Sequence, residues 1–103
     1  MAATADHLES LLALCRDTTL GTARQMVVYS LRRYKEAPGV EAALVELADD
    51  PEVGAHALSA LRSVAGNVRA RPVLLRVASR HRGSSLGSAA ERELRKARQA
   101  TEG

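Results

Sequence analysis

Apolar residues recur along this chain at intervals of three or four positions, the spacing that places side chains on one face of an α-helix. In "VGAHALSALRSV" the residues on one side of a helical wheel are Val53, Ala57, Ala60, Leu61 and Val64. Similar stripes run through "HLESLLALC", "LGTARQMVVYSLRRYK" and "VEAALVELA". Alternation at every second residue, which is typical of strands, is nearly absent. The pattern predicts an all-α protein with helices of roughly 9 to 16 residues, six in number.

Short polar segments separate the stripes: "RDTT", "APG", "DDPE", "AGN" and "HRGSS". Asp, Ser and Thr accept backbone N–H bonds at helix starts, whereas Pro and Gly end or turn the chain. In "DDPE", Asp50 is placed to cap the next helix and Pro51 suits its first turn. Glu52 adds negative charge near the positive helix end. The pair Asp49–Asp50 is therefore predicted to cap a helix before it does any acid chemistry.

Three glycines mark an internal repeat, because Gly21, Gly54 and Gly87 are each 33 residues apart. An aliphatic residue precedes each glycine, and another follows seven positions later (Leu20, Val53 and Leu86; Val28, Leu61 and Leu94). The preceding helices match as "LLALC", "LVELA" and "LLRVA", spaced by 33 and then 30 residues because the third corner is longer by three. The spacing of the glycines and the spacing of the preceding helices agree. Together they predict three helix pairs, within residues 6–35, 39–66 and 69–100.

The segment "ALVELADDPEVGAHALSAL" resembles the HEAT-repeat family and its short bacterial HEAT-like relatives. The family pattern has a first helix ending in Leu-Leu-x-Leu, an Asp-containing turn, and a second helix opening Val-Arg-x-x-Ala-x-x-Ala-Leu. The residues that match are Leu44, Leu47, Asp49, Pro51, Val53, Ala57, Ala60 and Leu61. The resemblance implies a short right-handed α-solenoid of three antiparallel helix pairs, in one domain spanning residues 1–103.

One departure from the family pattern recurs in all three copies. Glycine stands where the family usually has arginine after the aliphatic residue, at Gly21, Gly54 and Gly87. The stacked Asp–Arg ladder of these solenoids is therefore not carried over to this chain. Glycine near a helix start is instead expected to permit close backbone approach between copies.

The number of predicted copies indicates whether the solenoid is complete and whether the protein is a monomer. One helix pair cannot bury its apolar face alone, and about three stacked copies are the minimum for stability. The last helix has a thin stripe of small apolar residues and charged remaining faces, as expected of a cap. The sequence predicts a complete short solenoid that is a monomer, although the same pattern fits the end of a longer one.

Composition narrows the class of protein. The 103 residues fit one domain, and with no Phe or Trp the core must be built from Leu, Val and Ala. The single cysteine, Cys15, forms no internal disulfide. No apolar run approaches the roughly 18 residues of a membrane span, and "MAATADHLES" lacks the features of a secretory signal. A soluble cytoplasmic protein is predicted.

The net charge of +3 is unevenly distributed along the chain. Residues 1–52 carry nine acids and five bases, whereas residues 53–90 carry six arginines and no acid. Such asymmetry is typical of a surface for an anionic partner. An arginine-rich composition is the favoured explanation, since thirteen of the fifteen basic residues are arginine.

A candidate partner surface follows from the resemblance, because second helices line the concave face of HEAT proteins. Opposite the core stripes, Tyr29, Arg62 and Arg95 share one repeat position and are predicted to form a row. With neighbouring bases, the predicted partner-binding residues are Tyr29, Arg33, Arg62, Arg92, Arg95 and Lys96. An aromatic ring beside guanidinium groups suits carboxylates, phosphates or an acidic peptide. An ordinary solvated helical face has the same appearance.

Residues for catalysis or metal binding are not grouped in the sequence. His7, His56 and His81 lie far apart, and neither paired cysteines nor a phosphate-binding loop occurs. His56 is predicted to pack or to lie between repeats, His81 to be an exposed loop residue, and Cys15 to be a buried structural thiol. The chain is predicted to be a protein-binding module without catalytic activity, metal or cofactor. The alternative is DNA binding through the arginines of the second half.

Overall fold

The computed structural model describes residues 2–34 and 39–102, with side chains for residues 8–34 and 39–98. These residues contain six α-helices and no strand: α1 (Ala2–Cys15), α2 (Ala23–Ser30), α3 (Val40–Leu47), α4 (Gly54–Ala65), α5 (Asn67–Arg80) and α6 (Ser85–Glu102). Two 3₁₀ turns, Thr18–Leu20 and Leu31–Tyr34, flank α2. The predicted all-α class is confirmed.

Helix lengths differ from the predicted range at both extremes. Helices α2 and α3 have only eight residues each, whereas α6 has 18. At the end of α2 the Ser30 hydroxyl donates to the Val27 carbonyl oxygen at 2.6 Å, a local bond that competes with helix continuation. Residues 35–38, which include the end of the predicted first repeat, lie outside the described residues.

Several helices that follow one another along the chain are in contact: α1 with α2, α3 with α4, α4 with α5, and α5 with α6. The second helices also contact one another in chain order, α2 with α4 and α4 with α6. The Cα atoms extend over 40 × 31 × 16 Å. Two layers of helices, with axes 8–10 Å apart and a Cα radius near 2.3 Å, are about 13–15 Å thick. The smallest of the three extents, 16 Å, is therefore close to the thickness of two packed helices.

Most residues of the predicted stripes are buried or partly buried. Val53, Ala57, Ala60 and Leu61 of the middle copy are buried. Leu58 is also fully buried, although it lies off the predicted stripe. Helix α4 contacts α2, α3, α5 and α6, so that more than one of its faces is covered. Its central place in the packing thus buries more of its surface than an amphipathic stripe predicts.

Two corners of the chain have the same capping geometry. Asp17 Oδ1 accepts the backbone N–H of Thr19 at 3.0 Å, and Asp50 Oδ1 accepts that of Glu52 at 2.8 Å. Each carboxylate thus caps the residue two positions later, and the two sites are 33 residues apart. Asp50 was predicted to cap the following helix, but α4 begins at Gly54, with Val53 at its N-cap position and no side-chain capping bond. Asp50 instead accepts N–H groups of the turn that precedes the helix.

Gly54 and Gly87 allow close backbone packing at the turns that precede α4 and α6. A Cβ atom on Gly54 would lie 2.7 Å from the Ala48 carbonyl oxygen and 2.6 Å from Leu86 Cδ1 of the third copy. A Cβ atom on Gly87 would collide with the His81 carbonyl group. At Gly54 the backbone contact is with Ala48 of the same copy, and only a leucine side chain comes from another copy, so the expected close backbone approach between copies is not found. Gly21 differs, since its Cβ would meet nothing within 4 Å and its φ is +59°.

The substitution Gly87→Ala should lower the free energy of unfolding by about 1–3 kcal/mol, the usual range for an overpacked site. The added methyl group meets backbone atoms of His81, which cannot rotate away as a side chain would. Urea denaturation measures the change. Ser88→Ala is the matched control, because Ser88 is exposed on the same turn of α6. Equal stability of the two variants would contradict the close packing.

Candidate functional site

Ion pairs join the first helix of each copy to that of the next. Asp49, after α3, accepts from Arg76 of α5 at 3.0 Å and contacts His81 Nε2 at 3.0 Å, with Arg80 at 3.6 Å. The other pairs are Arg16–Glu46 at 3.1 Å and Arg69–Glu41 at 2.7 Å. His81 is therefore half-buried against Asp49, and its prediction as an exposed loop residue is wrong.

One buried arginine of α2, Arg24, contacts residues of the turn that precedes α4. The Arg24 guanidinium donates to Asp50 Oδ2 at 2.8 Å, to Glu52 Oε1 at 3.1 Å and to the Cys15 carbonyl oxygen at 3.1 Å. The same repeat position holds Ala57 and Ala90 in the other copies. Among these three equivalent positions, an arginine therefore occurs only in the first copy, three residues after Gly21.

Cys15 is fully buried, as predicted for a structural thiol. Burial raises the pKa of the Cys15 thiol to about 11, against the opposing charges of Arg16 and Arg24. Because the thiolate is the nucleophilic form, the thiol is unreactive at neutral pH.

The basic second half is largely matched by acids elsewhere in the chain. Of the six arginines in residues 53–90, four lie within about 4 Å of a carboxylate: Arg62, Arg69, Arg76 and Arg80. Arg71 and Arg82 have no such partner among the described side chains. Most of the arginines in this stretch are therefore paired with carboxylates of the same chain.

Helices α2, α4 and α6 line a groove of about 340 Å³, here called the central groove. Its lining residues are Tyr29, Ala55, His56, Ser59, Ala89, Arg92, Glu93 and Lys96. Side chains of Ala55, Ser59 and Ala89 are small, which leaves room between the three helices. The central groove thus brings together three of the predicted partner-binding residues, Tyr29, Arg92 and Lys96.

Two bases in or beside the central groove contact a carboxylate, Glu93, that was not among the predicted site residues. Glu93 is 8% exposed, and its carboxylate accepts from Arg62 Nη1 at 2.8 Å. Arg62 Nε donates to Asn67 Oδ1 at 3.1 Å, so its guanidinium group is bound within the fold. Lys96 Nζ lies 3.5 Å from Glu93 but its side chain is 61% exposed. The prediction that Arg62 belongs to the partner-binding row is therefore not supported by its contacts.

Signals for these contacts exist in the sequence. Arg62 and Glu93 are 31 residues apart, close to one repeat, as are Arg16 and Glu46 at 30. Opposite charges one repeat apart thus indicate pairs between copies. Near Tyr29 the signal is local, because Arg32 lies one helical turn later and its guanidinium carbon is 4.3 Å from the ring centroid.

The remaining predicted residues lie away from the central groove. Arg33 is exposed on the 3₁₀ turn Leu31–Tyr34 and does not line it. Arg95 lines a second groove of about 280 Å³ on helices α5 and α6, together with Arg71, Leu75, Leu94 and Arg98. The predicted row of Tyr29, Arg62 and Arg95 is thus divided among three environments. A common repeat position does not give a common environment, because only Arg62 has a partner in a following copy.

His56 contributes to the wall of the central groove, consistent with its predicted place between repeats. Its Nδ1 atom is buried and has no hydrogen-bond partner among the described residues. Unpaired buried polar atoms are uncommon in folded proteins. His56 is therefore the least satisfied polar side chain beside the groove.

Other classes of site were sought in the same residues. No group of three or more His, Cys, Asp or Glu side chains that could hold a metal ion occurs within the described ranges. Among the described helices, none is both long and apolar enough to span a bilayer. Comparisons with protein-family models, with curated proteins and with solved structures found no match.

Proposed function

We propose that this chain is a HEAT-like, right-handed α-solenoid of three antiparallel helix pairs that acts as a non-catalytic protein-interaction module. Support for the solenoid comes from the packing of each predicted pair and from the contacts of α2, α4 and α6 in chain order. The capping bonds of Asp17 and Asp50, one repeat apart, add to it. In this arrangement α2, α4 and α6 form the binding face.

The proposed ligand is an extended acidic segment of a partner protein, bound in the central groove. The observation that carries this proposal is the charge left over there. Arg62 balances the buried Glu93, while Arg92 has no carboxylate partner among the described side chains and Lys96 is mostly exposed. Carboxylates of a bound segment would make charge-assisted hydrogen bonds to these two bases. The small side chains between the helices leave space for its backbone.

The ion pairs between copies favour an acidic peptide over DNA. A duplex needs several bases that can reach phosphates, and affinity then falls steeply with salt. Four of the six arginines in residues 53–90 already contact carboxylates. The bases left near the central groove are few and close together, which suits one short anionic segment.

Binding is tested with a fluorescent peptide of about twelve alternating Glu and Ala residues. We expect fluorescence anisotropy to show binding to the natural chain and at least a tenfold weaker affinity for Arg92→Glu/Lys96→Glu. The double substitution removes two charge-assisted contacts and adds repulsion, and tenfold corresponds to about 1.4 kcal/mol.

The matched control is Arg95→Glu/Arg98→Glu, which changes net charge equally but lies on the second groove. It should leave peptide affinity within about twofold, a difference of roughly 0.4 kcal/mol. Equal losses of peptide affinity in both variants would show that only net charge matters. Absence of peptide binding by the natural chain would reject the acidic ligand. Tighter binding of a DNA duplex, with steep salt dependence, would favour the alternative.

A further inference from the structure

The first helix pair exposes an apolar residue that is buried in the other two copies. Leu14 of α1 is 39% exposed, whereas its repeat equivalents, Leu47 of α3 and Val77 of α5, are 6% and 0% exposed. Helices α3 and α5 each follow a helix of an earlier copy, but no described helix precedes α1. The end of the structure formed by α1 and its corner, here called the leading end, thus has an uncovered inter-copy position.

The third helix pair also exposes an apolar residue. It lies at the end of the structure formed by α5 and its corner, here called the trailing end. Leu75 of α5 is 53% exposed, whereas its equivalents Leu12 and Val45 are partly buried against the core. Leu12 and Val45 each have a following copy. Arg76 of α5 donates to the Val45 carbonyl oxygen at 3.4 Å, so α5 of the next copy lies beside α3 near this position. Leu75 therefore occupies the position that would face a fourth pair.

Charges at the corners alternate in sign and leave one base without a partner. Five residues before the three glycines stand Arg16, Asp49 and Arg82. Arg16 contacts Glu46 of the following copy at 3.1 Å, and Asp49 contacts Arg76 of the following copy at 3.0 Å. Arg82 is exposed and has no carboxylate partner in the described part of the chain.

The leading end offers the opposite charge. Glu9 and Asp17 are acidic residues of α1 and its corner, and neither has a basic side chain within about 4 Å among the described residues. The bases nearby, Arg16 and Arg24, are both directed to acids of the second copy. An acidic end with an exposed leucine therefore faces one way, and a basic end with an exposed leucine faces the other.

We propose that the trailing end of one molecule binds the leading end of a second copy, so that the stack of helix pairs continues from one chain to the next. Leu75 packs against the α1 face that carries Leu14, and Arg82 pairs with Asp17. The proposal rests on the solenoid arrangement but not on peptide binding in the central groove. Such a contact is heterologous, so copies add head to tail into open or ring-shaped oligomers.

This differs from the monomer that the thin apolar stripe of α6 predicts. The stripe itself is as expected, since Leu86, Ala89, Ala90 and Ala97 are buried. The outer side of α5 is not cap-like, because it exposes Val68 at 75% in addition to Leu75. Only one helix of the last pair therefore has the polar exterior of a cap.

Sedimentation velocity over a series of protein concentrations tests the contact. We expect the average mass of the natural chain to rise with concentration, and Leu75→Asp to weaken association at least tenfold. Arg82→Glu alone and Asp17→Lys alone should each associate more weakly than the natural chain. An equimolar mixture of these two variants should recover association, since each junction then joins opposite charges. A constant monomer mass for the natural chain, or no recovery in the mixture of folded variants, would overturn the proposal.

Disulfide cross-linking gives the orientation independently of charge. A Leu14→Cys chain mixed with a Leu75→Cys chain should form a mixed dimer under mild oxidation, whereas Ala42→Cys, an exposed site on the middle copy, should not cross-link to either. Preferential linkage between two Leu75→Cys chains would overturn the head-to-tail arrangement. The peptide affinity of Leu75→Asp should equal that of the natural chain, so failure of self-association and failure of groove binding are distinguishable.

Discussion

Replacing Arg24 by alanine is expected to lower the free energy of unfolding by about 3 kcal/mol, the lower end of the range for breaking a buried ion pair. The Arg24 side chain is 4% exposed and has two carboxylates and a backbone carbonyl as acceptors. Its removal leaves Asp50 and Glu52 close to each other without a cation. The loss is at the lower end because both carboxylates keep access to water, at 24% and 39% exposure.

The measurement is urea denaturation followed by circular dichroism. Arg16→Ala is the matched control, because Arg16 and Glu46 form an exposed pair at 49% and 63% exposure. Such pairs contribute at most about 1 kcal/mol. Alanine is also the residue that the other copies have at the position of Arg24, namely Ala57 and Ala90. Equal effects of the two substitutions would show that the Arg24 contacts do not hold the first two copies together.

Acid titration provides a second readout for the same contact. Burial opposes ionisation of Asp50, but N–H groups of Glu52 and Val53 and the Arg24 guanidinium together lower the pKa of its carboxyl group. A carboxyl group whose pKa is lowered in the folded state stabilises the fold at pH values above its ordinary pKa. That contribution is lost as the pH falls through the folded-state pKa, below about pH 4. Arg24→Ala should therefore show a weaker loss of stability in this acid range than the natural chain.

Leu61→Ala is expected to cost about 2–5 kcal/mol, the range for a large-to-small change that leaves a cavity. Leu61 is 1% exposed on α4, the helix that contacts the second helices of both other copies. Neighbouring helices are fixed by their own partners and cannot close fully around the missing atoms. Loss of this side chain therefore weakens contacts to more than one copy at once.

The repeat supplies a control of the same chemistry for Leu61. Leu94 occupies the equivalent position in α6 but is only partly buried, and no described helix follows α6. Leu94→Ala should cost clearly less than Leu61→Ala in the same denaturation experiment, because less apolar surface returns to water on unfolding. A larger effect at Leu94 would contradict the central position of α4.

Much of the fold could be predicted from local patterns. The apolar spacing of three and four acts over one or two helical turns, and it predicted the all-α class correctly. Two properties of the helices were not predictable in this way. Helix α2 ends early at Ser30, where a side-chain bond competes with the backbone, and Leu58 is buried because α4 is surrounded.

The candidate site could be predicted only in part. Its residues were chosen by helical angle, which indicates the outer side of a helix but not what lies beyond it. Tyr29, Arg92 and Lys96 face one groove, whereas Arg62 is directed to Glu93 and Arg95 to the trailing end. The side-chain conformation of an arginine depends on the charges within its reach, and these come from a helix about one repeat away.

The sequence by itself determined that this protein is all-helical and where several of the turns between its helices lie. These properties follow from hydrophobic periodicity and from turn residues, which act locally. Only the tertiary structure decided which charged side chains are used between copies and which remain at the surface. Ion pairs such as Arg24–Asp50 and Arg62–Glu93 join residues 26 and 31 positions apart, so their formation depends on how the helix pairs stack. The same stacking leaves Leu14 and Leu75 uncovered at opposite ends, because the first copy has no predecessor and the third no successor among the described residues.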